Sequence, residues 1–131
     1  MDGRPEFYPT ISPYLVVRDA RALMAFFAEV FGAQERFVAP GPGAQVIHGE
    51  MGVGNAVIML SDALETPYPP AHLCIYVDDT DAVFAKAVAA GAEVLSEPET
   101  KEYGDRSAGI KDPAGNTWWI STRLADESAQ N

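Results

Sequence analysis

One pattern runs through this chain twice, and the repetition limits its possible folds more than any other property. Tyr14-Leu-Val-Val-Arg-Asp19 leads into a helical stretch that ends Phe31-Gly32-Ala33, and Cys74-Ile-Tyr-Val-Asp-Asp79 leads into one that ends Ala90-Gly91-Ala92. Each is a strand, an acidic helix cap, an amphipathic helix and a glycine stop. Further on, Gly54-Asn-Ala-Val-Ile-Met-Leu-Ser61 is echoed by Gly115-Asn-Thr-Trp-Trp-Ile-Ser-Thr122, with the leading glycines 61 residues apart. A duplicated half of this size implies pseudo-symmetry, and ligands tend to occupy the concave surface that such halves enclose.

The rest of the pattern fills in each half. A strand is expected over 11–17, rich in Val, Ile and Tyr, followed by a helix capped by Asp19 that turns Leu23, Met24, Phe26, Phe27, Val30 and Phe31 inward. Strands at 34–39, 44–51 and 55–61 follow, separated by turns at Pro40-Gly-Pro-Gly43 and Gly52-Val-Gly-Asn55. The second half repeats the plan with a strand at 71–77, a helix at 80–90 with Val83, Ala87 and Val88 inward, and strands near 93–97, 105–111 and 116–122. The expected fold is α+β: two tandem βαβββ modules forming a cupped, largely antiparallel sheet with helices outside. At 131 residues the chain reads as one domain, with halves at about 10–62 and 71–122, a Pro-rich linker at 63–70 and a polar tail from 123 that frays.

Charge and cysteine content narrow the function classes. Nineteen Asp and Glu against nine Lys and Arg give a net charge of −10, which repels nucleic-acid phosphates and favours, if anything, a cationic ligand. Solvation of an acidic surface is the stronger explanation of the same charge, since Asp78, Asp79 and Asp81 gather at a helix start with Glu93, Glu97, Glu99 and Glu102 nearby. The single cysteine, Cys74, lies in an apolar strand and reads as a buried structural thiol, which suits a cytoplasmic location. No long apolar run suggests a membrane span.

The paired βαβββ halves, the Val-x-Asp strand exit, the Phe31-Gly32-Ala33 helix end and the Asp112-Pro-Ala-Gly-Asn116 turn together resemble the vicinal oxygen chelate superfamily. That group includes glyoxalase I, extradiol dioxygenases and the fosfomycin- and bleomycin-resistance proteins. The resemblance covers about residues 10–122, and His48-Gly-Glu50, Tyr103-Gly-Asp-Arg106 and Trp118-Trp119 look most like its glyoxalase-like branch. Metal enzymes of the superfamily take His, Gln or Glu ligands from the first and last strands of each half. Here those positions fall on Ser12, Met59, His72 and Trp119. Hydroxyl, thioether and indole do not replace imidazole or carboxylate for Zn²⁺, Ni²⁺ or Fe²⁺, so no metal site and no cofactor are expected.

The resemblance therefore implies a homodimer that binds a small organic molecule, aromatic or cationic, and sequesters an antibiotic or metabolite. Strand alternation puts Tyr14, Met59, His72, Tyr76 and Trp119 on the cavity side, with Tyr103 and Arg106 at its mouth, where the arginine either clamps an anion or pairs with Asp105 or Glu102. Core packing is the plain alternative for the large aromatics, and structural hydrogen bonding for His72. The rival to a binding protein is a glyoxalase-like lyase or isomerase, or a dioxygenase. Such an enzyme would use a non-standard metal or the candidate catalytic pair His48 and Glu50, two apart on one strand face.

Overall fold

In the computed structural model, residues 3–124 are described; the tail expected to fray lies outside them from residue 125 onward. The chain divides between Pro69 and Pro70 into two compact units, each holding one copy of the repeated pattern.

The first unit contains β1 (Tyr14–Val17), α1 (Ala20–Phe31), β2 (Gln34–Pro40), β3 (Val46–Val53) and β4 (Ala56–Asp62). Its four-stranded sheet has the order β1-β4-β3-β2, with β1 parallel to β4 and the other pairs antiparallel. Asp19 caps α1 by accepting the Ala22 amide at 3.0 Å, and Gly32 ends it in the left-handed conformation at φ 67. The Asp62 carboxylate accepts the amides of Ala20 and Val46, each at 2.7 Å, and so ties the helix start to β3. One sheet face and α1 bury Leu15, Leu23, Phe27, Val30, Met51 and Leu60. Removing a side chain such as Phe27 from water contributes roughly 1.5–3 kcal/mol.

The second unit contains β5 (His72–Tyr76), α2 (Thr80–Ala89), β6 (Glu93–Thr100), β7 (Asp105–Lys111) and β8 (Thr117–Arg123), in the sheet order β5-β8-β7-β6. Asp79 caps α2 through the Ala82 amide at 3.1 Å. The Asp-Pro-x-Gly-Asn turn has a physical cause. Asp112, buried, accepts the Ala114 and Asn116 amides, the Asn116 side-chain amide and the Trp118 indole at 2.8–3.3 Å, while Gly115 takes φ 88. The Asn116 side chain accepts the Ala71 amide at 2.8 Å, so one turn fixes the starts of both β5 and β8.

Several expectations are corrected. β1 starts at Tyr14 because Pro13 has no N–H for the ladder, although its carbonyl still accepts the Met59 amide at 2.9 Å. Arg123 belongs to β8 rather than to the tail, held by bonds from its guanidinium to Tyr103 O and Asp105. Val88 is 43% exposed, since α2 turns only Thr80 and Ala87 fully inward. Cys74 is exposed: it pairs with Trp119 on the open face of its sheet, and only Leu73 and Ile75 on either side of it turn the other way.

Candidate functional sites

The face of the first sheet opposite α1 carries a chain of hydrogen bonds. Register aligns Tyr14 with Met59, Met59 with Glu50 and Glu50 with Phe37, so these four side chains form one row across the sheet. His48 lies two residues from Glu50 and shares its face. His48 Nε2 is 2.9 Å from Glu50 Oε2, and Tyr14 Oη is 3.3 Å from His48 Nδ1. The Tyr8 hydroxyl donates to Glu50 Oε1 at 2.5 Å, and the Arg36 guanidinium covers the Tyr8 ring 4.5 Å from its centroid.

Charge and burial compete at Glu50, which is only 6% exposed. Burial pushes its pKa up, but hydrogen bonds from Tyr8 and His48 and the charges of His48 and Arg36 outweigh burial and hold the carboxyl below the usual glutamate range. The same contact raises the Tyr8 phenol above its ordinary value, chiefly through its hydrogen bond to Glu50. An ionised carboxylate only accepts, so Nε2 of His48 carries the proton in that bond. In a neutral ring Nδ1 is then the acceptor for Tyr14. Tyr14, His48 and Glu50 thus form a bonded path along which a proton can move from the half-exposed phenol toward the carboxylate.

In the second unit the open sheet face holds a concavity of about 310 Å³ lined by Cys74, Tyr76, Tyr103, Asp105 and Trp119, with Lys101 and three serines completing it. The Trp119 indole lies flat across β7 because residue 109 is glycine: a Cβ there would stand 2.5 Å from the ring. Asp105, 4% exposed, forms the polar end. It accepts the Tyr76 hydroxyl at 3.2 Å and pairs with Arg123 at 2.9 Å, while Ser121 donates to Ser107 at 3.0 Å. The Asp105 carboxylate, through its hydrogen bond and its charge, raises the Tyr76 phenol above its ordinary value.

Of the residues expected to line one cup, Tyr14 and Met59 fall in the first unit. Tyr76, Tyr103 and Trp119 come together in the second. His72 opens β5, exposed, on the same face as Cys74 and Tyr76 but outside the lining of the concavity. Arg106 is not beside Tyr103. It lies on the α2 face of β7, where both arms grip Asp81 at 2.8 and 3.0 Å and the pair depresses the Asp81 pKa. The expected partners Asp105 and Glu102 are thus replaced by an aspartate from the first turn of α2. Sequence reasoning missed Tyr8, Arg36, Phe37 and Lys101, and it placed Cys74 in the core. Strand alternation offered a signal for Cys74 alone, through its parity with Tyr76.

The donor set at the superfamily's ligand positions does not fit a divalent metal, since Ser12, Met59 and Trp119 leave His72 as the one good ligand. Among the described residues no three His, Cys, Asp or Glu side chains gather into a group able to hold a metal ion. None of their helices is long and apolar enough to cross a membrane.

With this fold and these faces established, the chain belongs to the Glyoxalase/Bleomycin resistance protein/Dioxygenase superfamily, whose family model matches residues 10–120. It is 34% identical to the uncharacterized protein Mb0911c of Mycobacterium bovis, over 84% of this chain and 80% of that protein. A solved glyoxalase/bleomycin resistance protein/dioxygenase family enzyme from Burkholderia phytofirmans PsJN is 26% identical. It has a TM-score of 0.71 over 86% of this chain and 97% of that one. TioX from Micromonospora sp. ML1 shares the fold, at 22% identity and a TM-score of 0.76, with 88% and 99% of the two chains covered.

Proposed function

We propose that this is a cytoplasmic, homodimeric protein that binds a flat organic molecule and sequesters it, as an antibiotic or metabolite, without a metal. The observation that carries this reading is the concavity of the second unit, where Tyr76, Tyr103 and Trp119 offer ring surfaces around a buried polar end at Asp105. Aromatic walls with a few fixed polar groups suit a ligand that stacks and is oriented by one or two hydrogen bonds. The Asp105 charge is already matched by Arg123, so stacking, more than a cationic group, sets the preference. Superfamily membership and a donor set unsuited to metal point the same way. Native mass spectrometry of freshly purified protein tests all three parts together. The expected spectrum is a dimer carrying a small organic molecule and no transition metal; a ligand-free monomer with one bound metal per chain would overturn the reading.

A second reading, acid–base catalysis, is favoured by one observation: the bonded series Glu50, His48 and Tyr14. Turnover of a methylglyoxal–glutathione hemithioacetal in the presence of chelator, lost in His48→Gln, would establish it. The binding reading expects no turnover.

A further inference from the structure

Tyr8 is held as a ligand would be held. Its hydroxyl meets a buried carboxylate oxygen of Glu50 at 2.5 Å, its ring face meets the Arg36 guanidinium, and the other carboxylate oxygen is fixed by His48. An acceptor for the acidic proton and a cation over the π face together recognise a phenol by both parts of its chemistry. The segment that delivers Tyr8 is poorly anchored. Residues 3–7 are exposed, and Phe7 is 81% exposed with φ 68, a region that disfavours an L side chain. Phe7 borders a hollow of about 510 Å³ shared with Arg36, Gly52 and Asn55. Its backbone meets Arg36, which donates to Phe7 O at 3.2 Å, while the bonds from Arg4 to Tyr8 O and from the Tyr8 amide to Pro5 O at 3.3 Å lie within the segment itself.

We infer that Tyr8 is an internal pseudo-ligand, and that Glu50, Arg36 and His48 form a binding site for a phenolic small molecule, which displaces residues 3–9 when it binds. The site belongs to the first unit and does not rest on the aromatic concavity of the second. Displacement sacrifices little buried apolar surface and releases Phe7 from its positive φ. The incoming hydroxyl replaces that of Tyr8 on Glu50, so the carboxylate is not left without a donor. It also brings the phenol beside His48 and its Tyr14 partner.

The probe is p-cresol, which has the side chain of tyrosine without its backbone. By calorimetry, p-cresol is expected to bind Tyr8→Ala with one site per chain and at least tenfold more tightly than it binds the parent. Tyr8→Ala combined with Glu50→Gln should lose the gain, and 4-methylanisole, which has no hydroxyl to donate, should not show it. Equal binding to parent and Tyr8→Ala, or equal binding of 4-methylanisole, would overturn the inference. A second measurement needs no variant: amide hydrogen exchange at Glu6, Phe7 and Tyr8 of the parent. Saturating p-cresol should speed exchange there while 4-methylanisole does not; unchanged exchange overturns the inference even if Tyr8→Ala fails to fold. Loss of this site would leave ligand binding at Trp119 untouched, so the two readings fail separately.

Discussion

Glu50 is a carboxylate that burial alone would drive toward its neutral form, and it stays ionised because Tyr8 and His48 both bond to it. A folded pKa below the unfolded one means that its contribution to stability is full above the usual glutamate range. The contribution fades as pH falls through the folded value. Glu50→Gln should therefore cost about 1–3 kcal/mol near neutral pH, by the worth of hydrogen bonds to a charged group. The gap from the parent should narrow by pH 3. Urea denaturation at the two pH values measures it, and a gap independent of pH would show that the carboxylate charge is not what the network stabilises. The pair of His48 and Glu50 itself was legible, since residues two apart on a strand share a face. Tyr8 was not: it lies in an irregular segment between Pro5 and Pro9 that has no period to read, and it meets Glu50 across 42 residues of sequence. Arg106 misled for a related reason, because its partner Asp81 is set by how α2 packs on β7, which strand pattern alone does not determine.

At the scale of elements, helices and strands were legible because caps and periodicity act locally. Asp19 and Asp79 cap where expected, and Gly32 stops α1. The weaker element was the one whose sequence was less decisive. α2 fully buries Thr80 and Ala87, where α1 buries Leu23, Met24, Phe26, Phe27 and Val30 as well as Ala20, so its buried face is narrow and Val88 is left outside. Cross-strand fit is less visible from sequence, and Gly109 is the clearest case. Nothing in the stretch Asp105–Lys111 announces that this glycine makes room for the ring of Trp119, its partner on β8. Gly109→Ala would put a Cβ within 2.5 Å of an aromatic ring that has no flexible end to yield. The expected cost is about 1–3 kcal/mol, as for overpacking elsewhere, with a shift in tryptophan emission as the indole lifts from β7. Unchanged stability and emission would show that the ring does not rest there.

At the scale of the whole molecule, the duplication was the most legible feature, and each copy folds as its own four-stranded sheet with one helix. Each unit carries a chemical face of its own: a bonded carboxylate, imidazole and phenol in the first, and an aromatic concavity in the second. Family membership fixes the scaffold and leaves the chemistry to these side chains, because one fold of this kind hosts several functions. The central claim is that Trp119 is a stacking surface for a flat ligand while its neighbour Trp118, 3% exposed and bonded to Asp112, holds the unit together. Calorimetric titration with quinoline, flat and uncharged at neutral pH, on the parent, Trp119→Ala and Trp118→Phe tests it most directly. Trp119→Ala should weaken binding by roughly 1–3 kcal/mol while remaining folded, and Trp118→Phe should bind like the parent but melt earlier. If Trp119→Ala binds quinoline as the parent does, or Trp118→Phe loses binding with its stability intact, the concavity of the second unit is not the ligand site.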